Sequence, residues 1–151
     1  MPELRFNHME LTLPIGALDD QTRTDIKAFY SDVFGFEAID VPIFEQNALL
    51  LRTDSETSQF LLLTEQEIHI ESRGYDHLGF LYENRTEVDA KFEKVKKWQT
   101  RDSRIQIKEY DDLVTGDVTT HAFYVRYLLP IWFDIQVIEM PDSGGPRWTF
   151  S

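Results

Sequence analysis

An internal repeat is the feature of this sequence that most constrains its fold. The segments Phe6-Asn7-His8-Met9 and Tyr75-Asp76-His77-Leu78 share the order aromatic, small polar, His, apolar, and they lie 69 residues apart, from His8 to His77. Each segment opens an alternating apolar and polar run typical of a strand, and each run is followed by apolar residues at helical spacing. Self-similarity at a fixed spacing is typical of a duplicated structural unit. The chain is therefore predicted to contain one unit twice.

The first half is predicted to form a strand, a helix and three further strands. In the opening strand Met9, Leu11 and Leu13 share one face, while His8, Glu10 and Thr12 share the other. The helix is expected over 24–34, where Ile26, Phe29, Tyr30 and Val33 recur at helical spacing, and it is expected to end at Gly35. The further strands are expected over 36–41, 48–52 and 60–64.

The second half repeats this order. A strand is expected over 75–81, a helix over 86–98 with Val88, Phe92 and Val95 on one face, and strands over 105–109, 119–126 and 132–139. We therefore predict an α+β fold: a single domain over 4–140 made of two βαβββ repeats, about 4–66 and 74–140. The tail over 141–151 contains Gly144-Gly145-Pro146 and is expected to be an irregular extension.

Charge and composition exclude several classes of partner. The chain has 27 acidic and 15 basic residues, a net charge of −12 and a pI near 4.6. Nucleic acid and anionic membranes would be repelled by this charge, so neither is expected as a partner. The apolar runs are far too short to span a bilayer, and the N-terminus lacks a secretion signal. The absence of Cys also fits a reducing compartment, and we expect a cytoplasmic protein.

Four segments carry a resemblance to a known superfamily. They are His8-Met9-Glu10-Leu11, the helix from Ala28 to Phe36, His77-Leu78-Gly79-Phe80, and the closing stretch from Phe123 to Ile138. Over about residues 4–140 the chain resembles the vicinal oxygen chelate superfamily, which includes glyoxalase I, extradiol dioxygenases and the bleomycin and fosfomycin resistance proteins. The resemblance implies curved mixed sheets around a cleft that holds a divalent metal ion.

The resemblance also implies which positions supply metal ligands. In the superfamily these positions lie on the first and last strands of each half, which here gives His8 and His77 on the first strands. The last strand of the first half offers Leu62 at the corresponding position, and leucine has no donor atom. One of the four usual ligands is therefore missing.

The last strand of the second half leaves two choices for the remaining ligand. The superfamily's Asp-Pro-Asp-Gly turn is replaced by Tyr127-Leu128-Leu129-Pro130. An ungapped match selects Asp134, and a two-residue insertion selects Gln136. Both lie on the face opposite the apolar residues of this strand, whereas Glu139 has the parity of the apolar face. We prefer Asp134, because a carboxylate binds a divalent cation better than a neutral amide does.

Two histidines and one carboxylate favour a dioxygenase-like activity. Such a set leaves open coordination positions that suit Fe(II) and O₂, so Fe(II) is the favoured metal, with Mn, Zn or Ni as alternatives. By the resemblance, Tyr124 corresponds to a tyrosine that donates a hydrogen bond to substrate in extradiol dioxygenases, and His121 is a candidate proton shuttle. Because these two have opposite parity on one strand, at most one of them should face the cleft unless a bulge intervenes.

Two other functions remain open at this point. A glyoxalase-like lyase or isomerase would need Gln136, Glu10 or water to complete the metal's coordination. A metal-free protein that binds a small molecule, similar to the bleomycin resistance proteins, fits the absent ligand at Leu62. In each case the partner is a small-molecule substrate or ligand, and a homodimer is expected because small proteins of this kind commonly pair.

Overall fold

The computed structural model describes residues 3–140, so the predicted irregular tail at 141–151 lies outside the described residues. The chain divides into two compact units. Within the described residues, the first unit contains 3–71 together with Leu128–Pro130, and the second contains Ser72–Tyr127 and 131–140.

The first unit is a four-stranded mixed sheet with one helix. Its elements are β1 (His8–Leu13), α1 (Asp20–Phe34), β2 (Glu37–Ile43), β3 (Gln46–Arg52) and β4 (Phe60–Glu65). The sheet order is β1-β4-β3-β2, in which β1 and β4 are parallel and the other neighbours are antiparallel.

Helix α1 begins four residues before the start predicted from its apolar spacing. Asp19 caps it, because its carboxylate accepts a hydrogen bond from the Thr22 amide at 2.8 Å. The predicted apolar positions are confirmed: Ile26, Phe29 and Val33 are fully buried, as is nearly all of Tyr30. The helix ends at Gly35 in a left-handed conformation, as predicted.

The second unit repeats this arrangement. Its elements are β5 (His77–Leu81), α2 (Arg85–Gln99), β6 (Gln106–Glu109), β7 (Leu113–Thr115), β8 (Val118–Arg126) and β9 (Trp132–Glu139). The order is β5-β9-β8-β6, with β5 and β9 parallel, and β7 pairs with β8. Strand β7 was not predicted, because its three residues are all exposed and show no alternation between a buried and an exposed face.

The two units therefore share one topology, in which the first strand pairs in parallel with the last. His8 pairs with Phe60 and His77 pairs with Trp132, so each histidine opens this parallel ladder at the same position. The predicted α+β class with βαβββ repeats is confirmed. Within residues 3–140, no helix is long and apolar enough to cross a membrane.

Candidate functional site on the second sheet

The two faces of the second sheet differ sharply in chemistry. One face packs on α2, where the rings of Phe92 and Phe123 lie 5.1 Å apart, and the apolar β9 residues Phe133, Ile135 and Val137 belong to this helix face. The opposite face carries His77 of β5, Asp134 and Gln136 of β9, Tyr124 of β8 and Lys108 of β6. We call it the His77 face.

Strand register places four residues of the His77 face in one row. Gly79 pairs with Asp134, Asp134 pairs with Tyr124, and Tyr124 pairs with Lys108. Directly paired residues of neighbouring strands lie on the same face with their side chains close together. The row therefore runs glycine, carboxylate, phenol and ammonium across four strands, and the glycine contributes no side chain beside the carboxylate.

Asp134 is a buried carboxylate with an unsatisfied oxygen. The residue is 7% exposed, and its Oδ1 has no hydrogen-bond partner among the described residues. Its Oδ2 lies 3.8 Å from Nε2 of His77. Burial raises the pKa of Asp134 above its ordinary value, and the nearby His77 only partly offsets this effect. A buried anion without full pairing is costly unless a cation or a proton compensates it.

The tautomer of His77 follows from its backbone contact. Its Nδ1 lies 2.8 Å from the carbonyl oxygen of Tyr75. Because a carbonyl can only accept, Nδ1 carries the proton and donates it, which leaves Nε2 of the neutral ring with a lone pair. Metal-binding histidines are commonly oriented in this way by a hydrogen bond from the other ring nitrogen.

Tyr124 lies beside both of these groups. Its hydroxyl is 3.3 Å from Nε2 of His77, and the two rings are 4.7 Å apart. The ring of Tyr110 packs on Tyr124 at 4.6 Å. Burial raises the pKa of the Tyr124 phenol, and the charges of Asp134 and Tyr110 act in the same direction. The phenol therefore keeps its proton at neutral pH and can donate it in a hydrogen bond.

Gln136 shares the face but lies one row further from His77. It pairs with Leu81 and Ala122, and its side-chain nitrogen lies 3.2 Å from the position that a Cβ on Gly79 would occupy. Its amide thus covers the glycine, while Asp134 is the residue in contact with His77. The structure brings Asp134 and Tyr124 to His77, and their roles as ligand and hydrogen-bond donor remain predictions.

The first unit presents a related but different set of side chains. His8 Nδ1 bonds the side-chain oxygen of Asn7 at 2.7 Å, and the Asn7 amide nitrogen donates to the Ser58 carbonyl at 3.0 Å. This second bond fixes the amide orientation, so Nδ1 of His8 carries the proton and Nε2 keeps its lone pair, as in His77. The His8 ring stacks on Phe60 at 4.7 Å.

Register assigns Leu62 and Asp134 to the same repeat position. Leu62 pairs with Glu10 two residues after His8, and Asp134 pairs with Gly79 two residues after His77. The carboxylate of the first unit thus lies on the first strand, where Glu10 accepts a hydrogen bond from Thr64 at 2.7 Å. Within the described chain, no group of three or more His, Asp or Glu side chains has the arrangement of a metal site.

His121 lies on the helix face, away from His77. Its Nε2 bonds Asp89 and its Nδ1 bonds Asp112, each at 2.7 Å, and the Arg85 guanidinium is 2.9 Å from Nδ1. The expectation that at most one of His121 and Tyr124 shares a face with His77 holds in this sheet, and that residue is Tyr124. The suggested proton shuttle is therefore not positioned beside His77.

Sequence reasoning missed several residues around the His77 face. They are Lys108, Tyr110, Tyr75 and Gly79. Tyr75 has the parity of His77, so alternation alone could have placed it on this face. Lys108 lies on this face because it pairs with Tyr124. Which β6 residue lies opposite Tyr124 depends on the sheet register, which the sequence does not reveal.

Solved structures of known proteins match the fold of this chain. No family model and no curated protein matches the sequence. Among solved structures, the fosfomycin resistance protein FosX of Listeria monocytogenes, complexed with Mn(II) and sulfate, is 17% identical, with a TM-score of 0.60 and 91% of each chain covered. A protein of Bacillus anthracis described as a glyoxalase family member is 16% identical, with a TM-score of 0.59 over 90% of this chain and 96% of its own.

A lactoylglutathione lyase of Agrobacterium tumefaciens is 18% identical, with a TM-score of 0.55 over 91% of this chain and 95% of its own. The chain has the glyoxalase fold. This fold is the one shared by the vicinal oxygen chelate proteins, so the predicted resemblance is confirmed at the level of the fold. A fold hosts several chemistries, and the activity has to be argued from the side chains of the site.

Proposed function

We propose that this glyoxalase-fold protein is a divalent-metal-dependent enzyme acting on a small oxygenated molecule, with His77 and Asp134 as metal ligands. One observation carries the proposal: the buried Asp134 carboxylate has an unpartnered oxygen and lies 3.8 Å from the lone-pair nitrogen of His77. His8, the repeat equivalent of His77, stays a prediction as a further ligand.

The donor set fits a divalent cation on chemical grounds. A carboxylate oxygen and a neutral imidazole nitrogen suit Mn, Fe, Ni and Zn. A cation bound by both residues would neutralise the buried Asp134 carboxylate and accept the lone pair of His77 Nε2. Leu62 supplies no donor at the repeat position of Asp134, which supports an open coordination sphere rather than a closed structural one.

The bound metal would act as a Lewis acid that orients two substrate oxygens and lowers their pKa. Tyr124 supports this chemistry with a phenol that keeps its proton at neutral pH and lies 3.3 Å from His77. We propose that it donates a hydrogen bond to a substrate oxygen. The Tyr75 carbonyl accepts a hydrogen bond from Nδ1 of His77 at 2.8 Å and so holds the ring in one orientation.

The finer reaction type remains a proposal. The expected set of two histidines and one carboxylate favours ring cleavage with Fe(II) and O₂. The similar structures favour other reactions, because they are a fosfomycin resistance protein, a glyoxalase family protein and a lactoylglutathione lyase. The Mn(II) of FosX supports Mn as a candidate beside Fe. Catechols with O₂ and lactoylglutathione are therefore the first two substrate sets for an activity screen.

Metal analysis tests the proposal. Protein purified anaerobically without chelator, and then reconstituted with Fe, Mn, Ni or Zn, is expected to hold metal near one equivalent. His77→Ala and Asp134→Ala should lose it. His69→Ala is the matched control, because the His69 ring bonds the neighbouring Ile70 carbonyl and no other group among residues 3–140. If Gln136→Ala lost more metal than Asp134→Ala, the assignment of Asp134 would be wrong.

A metal-free binding protein is the second candidate. It is favoured by Leu62 and by the lack of a three-donor metal arrangement among residues 3–140. In that case no ion would bind after reconstitution, and ligand affinity would be the same in wild type and Asp134→Ala.

We also propose a homodimer. Large apolar side chains are exposed on the chain, including Phe6 at 94% and Ile68 at 89%, and such surface is often covered by a second copy. Size-exclusion chromatography with light scattering should give twice the 17.8 kDa of one chain; a monomer at all concentrations would contradict this. The cytoplasmic location stays a prediction.

A further inference from the structure

We propose that Lys108 recognises a carboxylate on the substrate, so that the substrate is a small planar carboxylic acid. The inference rests on the proposed function for the placement of the reacting oxygens near Asp134 and His77. It adds the chemical class of the substrate and a residue that determines specificity.

The position of Lys108 comes from strand register. Lys108 pairs with Tyr124, which in turn pairs with Asp134, so all three side chains lie on the His77 face. Two strand spacings separate the Cα atoms of Lys108 and Asp134, about 10 Å. A small molecule whose oxygens lie near Asp134 can therefore extend across Tyr124 towards the ammonium group.

Lys108 is held by aromatic rings and not by a carboxylate. Its Nζ lies 4.7 Å from the ring centre of Tyr75 and 5.3 Å from that of Tyr110. Within residues 3–140 it forms no ion pair, whereas Arg23, Arg52 and Arg85 each pair with an acidic side chain. A half-buried ammonium held only by ring faces keeps donors available for an incoming anion.

The charge of the chain makes a local cation necessary for such a substrate. The net charge of −12 disfavours the approach of an anion. Salt screens this long-range repulsion beyond about 10 Å at 0.1 M ionic strength, so groups in contact with the anion decide its affinity. On the His77 face, the Lys108 ammonium is such a group.

The neighbouring rings favour a planar acid. Tyr75 packs against Trp132 at 5.3 Å, and Tyr110 packs against Tyr124 at 4.6 Å. Lys108 lies between these two ring pairs, since its Nζ contacts Tyr75 and Tyr110. Ring faces beside a cation suit a flat conjugated molecule with a terminal carboxylate, because the plane can stack while the charge pairs.

Two probes that differ by one carboxylate group test this inference. Catechol and 3,4-dihydroxybenzoate carry the same vicinal oxygens, and only the second has a carboxylate. Their dissociation constants are measured by calorimetry with the wild type, Lys108→Met, Lys108→Arg and Lys91→Met. Lys91 is the matched control, because it is also half-buried, with its Nζ 6.0 Å from the Tyr82 ring centre. Thermal melting checks that each variant is folded.

We expect the wild type to bind 3,4-dihydroxybenzoate about tenfold more tightly than catechol, the effect of one charge-assisted hydrogen bond. Lys108→Met should abolish this preference, Lys108→Arg should retain part of it, and Lys91→Met should leave it unchanged. A preference that survives in Lys108→Met would overturn the inference, as would a wild type that fails to bind 3,4-dihydroxybenzoate at millimolar concentration.

Repeating the titrations with and without Mn(II) separates this inference from the proposed function. If only the metal assignment is wrong, both affinities are independent of Mn(II), and the preference still disappears in Lys108→Met. If only the role of Lys108 is wrong, affinity depends on Mn(II), and the preference is the same in Lys108→Met and wild type.

Discussion

Asp134 carries an ionisable carboxylate in a buried environment. A carboxylate is normally exposed or fully paired, yet this one is 7% exposed with an oxygen that has no partner among the described residues. Its pKa is raised by burial, and the neighbouring His77 does not fully compensate. This arrangement costs stability in the metal-free protein, and a cation bound as proposed would compensate the buried charge.

Asp134→Asn is therefore expected to stabilise the metal-free protein at neutral pH, by about 1 kcal/mol, because the buried charge is removed. A raised carboxyl pKa means that the folded state binds its proton more tightly than the unfolded state does. This penalty is absent below the ordinary pKa and is complete above the raised one. Urea unfolding with EDTA at pH 7 measures the effect, and a variant less stable than wild type would contradict it.

The histidine pair could be predicted from the sequence, but its chemistry could not. Alternation and the repeat placed His8 and His77 at equivalent strand positions. The unprotonated state of Nε2 in each ring depends on Asn7 in one unit and on the Tyr75 carbonyl in the other. These contacts depend on local backbone geometry, which no residue pattern specifies.

At the level of elements, helix ends show what local sequence determines. The end of α1 could be predicted from the glycine at position 35. Its φ is 75°, a conformation that residues with side chains disfavour and glycine adopts readily. The start of α1 was predicted late, since the Asp19 cap precedes any apolar residue of the helix face. Strand β7 was missed because pairing with β8, and not burial, defines it.

Gly35→Ala should reduce the free energy of unfolding by about 1 kcal/mol. No atom lies within 4 Å of the added Cβ, so the cost comes from the backbone alone. Gly74→Ala is the matched control, because Gly74 also has open space and its φ lies outside the left-handed region. Equal stability of the two variants in urea would contradict this account of the helix end.

On the helix face of the second sheet, His121 links β8 to α2 and to the segment before β7. Burial lowers its pKa, but hydrogen bonds to Asp89 of α2 and to Asp112 before β7 outweigh that effect, and the net shift is upwards despite Arg85. The protonated ring therefore stabilises the fold at a pH below its ordinary pKa, about 6.5. This contribution is lost as the pH rises through the raised value.

His121→Gln should flatten the dependence of stability on pH above about pH 6.5, the ordinary pKa of histidine. The expected difference stays below about 1 kcal/mol, because these ion pairs are partly exposed to solvent. Urea unfolding at several pH values measures it, with His69→Gln as the control. An unchanged pH profile in His121→Gln would show that the ion pairs do not stabilise the folded state.

At the scale of the whole molecule, the internal repeat predicts the fold. The candidate site, in contrast, depends on residues that differ between the two repeats. Topology could be predicted because both halves follow one order of elements. The carboxylate position could not be read from topology, since Leu62 and Asp134 occupy the same repeat position. The three similar structures named above are 16 to 18% identical to this chain and support the fold alone.

The measurement that tests the central claim most directly is Mn(II) titration followed by electron paramagnetic resonance. The signal of free Mn(II) should fall as wild-type protein is added, with saturation near one equivalent. Asp134→Asn and His77→Gln should leave the signal unchanged, while Gln136→Ala should bind as wild type does. Equal Mn(II) binding by wild type and both ligand variants, or none by wild type, would contradict a metal site at His77 and Asp134.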